Sequence, residues 1–189
     1  MTMVRLSRPR TLLALSLTGL SLGGCVMQST YNSMLAQQKA IESALRSEIS
    51  ADQVEIRQLQ DGIQVRMSSD LLYGSGSIEL TPAGRAALDK VAPQLAQSAA
   101  QSYQVDITGN TDNVPIGPEL ISRFPTNWEL AGARAAVVVR YLQERGVDPR
   151  KLEAVSNGQY HPIASNDSAE GRARNRRTDV VLRPEAPPQ

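Results

Sequence analysis

The chain has 189 residues, 41% of them hydrophobic and 4% aromatic, and its 20 basic and 19 acidic residues give a formal net charge of +1. That balance excludes the strong basic excess of a nucleic-acid-binding surface. A single cysteine and a single histidine exclude an internal disulfide and a His/Cys metal cluster.

Arg5, Arg8 and Arg10 form a basic leader, and residues 11–22 form an apolar stretch too short for a membrane span of about twenty residues. Leu22-Gly23-Gly24-Cys25 follows, so residues 1–24 read as a signal peptide. Their removal takes three arginines and no acid from the 20 basic and 19 acidic residues, leaving a net charge of −2. Residues 25–62 contain no proline and only Gly62 as glycine, and Tyr31, Leu35, Leu45, Ile49, Ile56, Leu59 and Ile63 fit alternating steps of four and three with Gln38, Glu42 and Asp52 as polar interruptions. This predicts a helical spacer on the order of 45 Å long. Two readings stay open for it, a short coiled coil through that narrow seam and a single solvated helix or tether.

From Ile63 the period becomes two: Ile63, Val65 and Met67 alternate with polar residues as in a half-buried strand. Gly74-Ser75-Gly76-Ser77 predicts a turn, and Thr81-Pro82 a helix start, with Pro93 expected to bend or break that helix near its middle. Tyr103, Val105 and Ile107 predict a second strand that delivers residues 109–112 at its end. A long loop, 113–126, leads to Asn127 as the expected N-cap of a helix that Gly146 stops. Residues 152–156 predict a third strand, Asp167 to Glu170 a capped short helix, and 178–182 a last strand; residues 184–189 read as a disordered tail. The sequence therefore predicts an α/β fold, a two-layer sandwich of strand–helix–strand–helix–strand–strand with a short extra helix, preceded by a long N-terminal helix.

Three blocks stand out in order: Gly109-Asn110-Thr111-Asp112, then Asn127-Trp128-Glu129-Leu130 running into Ala133-Arg134-Ala135, then Glu170-Gly171-Arg172-Ala173-Arg174-Asn175-Arg176-Arg177. Across residues 63–183 the chain resembles the OmpA-like peptidoglycan-binding domain, and its long loop with Phe124-Pro125 and Asn127-Trp128 looks more like the MotB-type branch than the compact Pal-type. The resemblance implies that Asp112 takes the ammonium of diaminopimelate and Arg134 its carboxylate, with Asn127 and Arg176 beside them. Each residue also has an ordinary structural reading: an Asx-turn for Asp112, a helix cap for Asn127, surface arginines for Arg134 and Arg176. Ala131, one turn before Arg134, reads as room for a ligand to approach. The sequence departs from the family pattern at Asn110, where histidine is common, at Ala131, where serine is frequent, and at Tyr73-Gly74-Ser75, where Phe-Asp-Ser is frequent.

Leu22-Gly23-Gly24-Cys25 likewise resembles a bacterial lipobox, which implies a diacylated Cys25 (palmitate-type chains) as the mature N-terminus. Val26 at the next position implies an outer-membrane destination facing the periplasm. MotB-type stators need a membrane helix bearing a proton-accepting aspartate, and the apolar stretch here has no acid. No enzyme, cofactor or metal motif emerges. The expected function is noncovalent tethering of the outer membrane to peptidoglycan, with a homo-oligomer or periplasmic partner through the spacer. The alternative is a regulatory lipoprotein whose contact with a periplasmic sensor is gated by peptidoglycan; a peptidoglycan hydrolase is a more distant third.

Overall fold

The computed structural model describes the backbone of residues 22–185 and the side chains of residues 32–185. Nearly all of the signal segment 1–24, the side chain of Cys25 and residues 186–189 lie outside the described residues. The chain divides into two units, residues 1–33 and 34–189. In the first, residues 22–33 are helical, the opening part of helix α1 (Leu22–Ala44). No described helix is long and apolar enough to cross a membrane.

In the second unit, the rest of α1 is not a solvated spacer. Met34, Ile41 and Leu45 are buried, and Ile41 and Leu45 join the main core. Helix α2 (Arg46–Ser50) follows, and the chain then reverses at Asp52, whose φ of 57° is a left-handed conformation that Asp tolerates better than most residues. The helical reading of residues 25–62 is therefore corrected. Val54–Leu59 is strand β1, which pairs antiparallel with β2 (Gly62–Ser68) through a tight hairpin. The physical reason is visible in the residues: Val54-Glu55-Ile56-Arg57 alternates with period two, and Gln60-Asp61 forms the two-residue turn between the paired Leu59 and Gly62. The seven apolar positions of the expected seam belong to different elements, so the compact unit begins at residue 34, not 63.

Helix α3 (Ser69–Leu72) leads through the turn at 74–77 to α4 (Pro82–Ala99), which Thr81 caps by accepting from Gly84 N. Pro93 does not break α4. Both Pro93 and Asp89, whose carbonyl loses its helical partner, lie on the exposed face, where water can satisfy that carbonyl. Strand β3 (Tyr103–Asn110) precedes a loop carrying the short helix α5 (Pro118–Ile121). Helix α6 (Asn127–Glu144) is capped by Thr126 in a capping box with Glu129, so Asn127 is its first residue and not its N-cap. Strand β4 (Leu152–Gly158), α7 (Ala169–Asn175, capped by Ser168) and β5 (Arg177–Pro184) complete the unit. The expected tail is ordered at its start: Pro184 pairs with Tyr103, Glu185 N donates to Ser102 O, and the Glu185 carboxylate meets Lys151.

The five strands lie in the order β1-β2-β5-β3-β4, with β3/β4 parallel and the other pairs antiparallel. Ile63, Val65, Met67, Val105, Ile107, Val180 and Leu182 line one sheet face and form one core with Leu88, Val91, Leu95, Val138 and Leu142 of the helices. The opposite face carries charges in a ladder: Arg66 meets Glu55 at 3.3 Å and Asp179 at 3.5 Å, and Arg177 meets Asp179 at 3.1 Å. This is the expected α/β sandwich with an added edge strand.

Because Ile41 and Leu45 are core residues, Ile41→Ala and Leu45→Ala should each cost about 2–5 kcal/mol in urea melts. The loss should not depend on protein concentration, whereas a coiled-coil role for these side chains would make it do so.

Candidate ligand-binding site

Strand β3 ends at Asn110 and the chain turns sharply at Asp112. One carboxylate oxygen of Asp112 accepts from Val114 N at 3.1 Å, which is an Asx-turn, and the other accepts from Arg176 Nη1 at 2.9 Å. The structural reading of Asp112 is thus realised with one oxygen, and a charged contact with the other. Asp112 is buried, and Arg176 is also 3.7 Å from Asp70 on α3.

Asn127 sits at the start of α6, buried, with its amide nitrogen aimed at Val114 O (3.1 Å), Gln159 Oε1 (2.8 Å) and Asp112 O (3.4 Å). It staples the 112–114 turn to the loop after β4. Seven residues further along α6, Arg134 donates through Nε and Nη2 to Ser77 O at 3.2 and 3.0 Å. Its guanidinium carbon lies 5.0 Å from the centre of the Tyr73 ring. Burial holds the Arg134 guanidinium below the ordinary arginine range; Tyr73 works against that, Arg176 adds to it, and Asp70 and Asp112 oppose it. The charges of Asp112, Arg134, Arg176 and Asp70 therefore act on one another in one region.

The structure brings Asp112 directly to Asn127 and Arg176, and places Arg134 within electrostatic reach of them. Ala131 does not leave room for a ligand: it is fully buried against β3, and a Cβ built on Gly109 would lie 2.1 Å from Ala131 O. Its small size serves helix–strand contact.

Several residues of this region are given no site role by the sequence. Tyr73 is buried, its hydroxyl bonded to Thr178 Oγ1 (3.0 Å) and Arg134 O (3.2 Å). Ser77 contributes only a carbonyl, which no side-chain pattern announces. Asp70 lies on a four-residue helix too short to show a period. Asn110, the departure from histidine, bridges Asp179 (3.2 Å), Arg177 (3.3 Å) and Asn157 (3.0 Å) beneath the site. Burial raises the Asp179 carboxyl above the ordinary range, with Arg177 and Arg66 opposing that rise. Asp70 and Arg176 also border a depression of about 870 Å³ that runs past Arg66 and Arg174.

Comparison with known proteins bears on the family and the fold. A sequence model described as the OmpA family matches residues 72–176, more than half of the chain. The probable lipoprotein YiaD of Escherichia coli is 33% identical over 143 residues, covering 76% of this chain and 61% of that protein. A putative MotB-like protein of Desulfovibrio vulgaris superposes with a TM-score of 0.74 at 25% identity, covering 85% of this chain and 99% of that one. The cell wall anchor of the type VI secretion system of Pseudomonas aeruginosa superposes with a TM-score of 0.68 at 32% identity, covering 77% and 97%. The chain spans between 50% and 57% of the length of the first curated relatives it matches.

Burial pushes the Tyr73 phenol up to about 12 from 10.0. The folded state thus favours the neutral phenol, so the stability it contributes is complete below pH 10 and lost as pH rises from 10 through about 12. The loss amounts to roughly 2–3 kcal/mol. Tyr73→Phe should therefore start less stable at pH 8, lacking two hydrogen bonds, and close the gap to the unsubstituted protein by pH 11–12 in denaturant titrations. A gap that stays constant across that range would show that Tyr73 does not titrate in place.

Proposed function

We propose that this chain, which belongs to the OmpA family, binds peptidoglycan noncovalently through the Asp112–Arg134 region, taking the diaminopimelate of the stem peptide. The observation that carries this reading is the state of Arg134. Its guanidinium is half-buried, and among the described residues its hydrogen-bonding fork is engaged by the neutral carbonyl of Ser77 and its face by the Tyr73 ring. A carboxylate is the partner that such a cation lacks, and it takes two parallel hydrogen bonds from a guanidinium. Close by, Asp112 offers an oxygen now held by Arg176. An ammonium there competes with, or shares, an existing ion pair, and Arg176 is then free to meet further acidic groups of the peptide. A free amino-acid centre carries both charges, a carboxylate for the helix face and an ammonium for the loop. Asn127 acts in this reading by fixing the 112–114 turn.

The same reading gives the protein its place in the envelope. Cys25 carries the lipid, the outer membrane holds the chain facing the periplasm, and the 34–189 unit holds the wall. The lipobox residues and the likeness to the probable lipoprotein YiaD support the anchor. The likeness to a cell wall anchor supports the wall contact. One acyl chain alone binds a bilayer only marginally, so a stable tether requires more than one.

A hydrogen bond to a charged group is worth ~1.5–3 kcal/mol, so Asp112→Ala and Arg134→Ala should each weaken binding roughly ten- to more than a hundredfold. Arg134→Lys should recover only part, because an ammonium cannot form the paired bonds. Sacculus pull-down and calorimetry with a diaminopimelate peptide measure this, beside a melting curve. Undiminished binding by folded variants would rule the site out. Separately, Cys25→Ser should move the protein from the membrane to the soluble fraction on cell fractionation; retention of that variant in membranes would overturn the lipid anchor.

A further inference from the structure

Strand β1 is the outermost strand of the sheet, paired on one side only, to β2. We propose that it is a self-recognition edge: two copies of this chain pair β1 against β1, antiparallel, centred on Ile56, to make one continuous ten-stranded sheet.

The hydrogen-bonding parity of the edge allows this register. Ser68 N donates to Gln53 O at 2.9 Å, which sets Gln53, and with it Glu55 and Arg57, as the residues whose backbone groups face β2. Val54, Ile56 and Gln58 then direct their N–H and C=O groups to the open edge. An antiparallel pair centred on Ile56 opposes Ile56 with Ile56, and Val54 with Gln58, all through those outward groups. A two-fold axis through the Ile56 pair satisfies every outward backbone group of residues 54–58.

The side chains fit the same register. Glu55 and Arg57 lie on one face of β1, already 2.7 Å apart within the strand. Centring on Ile56 sets Glu55 of each copy directly opposite Arg57 of the other, in the closely spaced non-hydrogen-bonded positions, so two opposite-charge pairs form at once. Charges on a free edge normally repel other edges; here they are self-complementary. On the opposite face Ile56 of one copy meets Ile56 of the other. There Ile56 and the 36%-exposed Ile49 border a groove of about 500 Å³ flanked by Lys39, Glu42 and Arg46. In the sheet the pairing edge is separated from β3, which carries the Asp112 loop, by β2 and β5, and Glu55 and Ile56 line the far end of the depression that Asp70 and Arg176 border. The proposal stands independently of what that loop binds.

The test is site-specific cross-linking of the full-length chain, with the unsubstituted protein, which carries Cys25, as background. Ile56→Cys should give a dimer with a short bis-maleimide, because facing residues of a hydrogen-bonded pair are about 5.5 Å apart. Leu59→Cys should not, because residue 59 faces residue 53 and the two introduced thiols lie roughly 20 Å apart. Sedimentation of the full-length protein should show a dimer that Arg57→Glu weakens roughly tenfold by setting like charges opposite each other, with the melting curve unchanged at concentrations too low for the dimer to form. The exchange Glu55→Arg with Arg57→Glu should restore it. Equal cross-linking at 56 and 59, none at 56, or a dimer indifferent to Arg57→Glu would each overturn the proposal.

Discussion

The backbone contact between Gly109 and Ala131 is the constraint on which the rest of the structure depends. With a Cβ at Gly109 set to fall 2.1 Å from the Ala131 carbonyl oxygen, only glycine lets α6 lie this close to β3. That closeness fixes both halves of the site. It puts the turn after β3 beside the first residue of α6, where Asn127 can staple it, and it carries Arg134 over the Tyr73 ring. Tyr73 in turn ties α6 to β5 through Arg134 O and Thr178. A shift of either element would separate Asp112 from Arg134 before it disturbed the outer strands.

Electrostatics then divides the work between the charged residues. Asp112 is already paired, and binding an external cation there exchanges one charged contact for another. Arg134 is half-buried and, among the described residues, hydrogen-bonded to a neutral carbonyl, so an anion at that end replaces a neutral partner rather than a charged one. Below them Asn110, Arg177 and Asp179 form a buried hydrogen-bonded network, while the second oxygen of Asp179 takes no hydrogen bond and faces Arg66 at 3.5 Å. This explains how asparagine stands at position 110: its amide donates to Asp179 while its carbonyl accepts from Arg177, bridging an acid and a base.

Much of this is legible in the residues. The Thr81-Pro82 helix start, the alternation at 63–67 and 103–107, and the Gly146 stop all appear as read, because each rests on local backbone chemistry. A continuous helix over 25–62 is a misreading because steps of three and four can be threaded through residues 54–59 as well, while the period of two across Val54-Glu55-Ile56-Arg57 is that of a strand. Whether Leu45 and Ile41 face a core or a partner helix is set by tertiary packing that no local pattern contains. At the site, Asp112, Arg134 and Arg176 are readable as side chains in blocks. Ser77 is not, since it acts through a carbonyl, and Tyr73 is visible only as a departure from a pattern.

The central claim, that Arg134 exchanges a neutral carbonyl for a ligand carboxylate while Asp112 takes the ammonium of the same centre, is tested most directly by a crystal structure of the protein with a diaminopimelate-containing stem peptide. The account predicts the carboxylate within hydrogen-bond distance of Arg134 Nε and Nη2, the Ser77 carbonyl displaced, and the ammonium on Asp112. A peptide bound elsewhere, with Arg134 still on Ser77 and Asp112 still on Arg176, would contradict it.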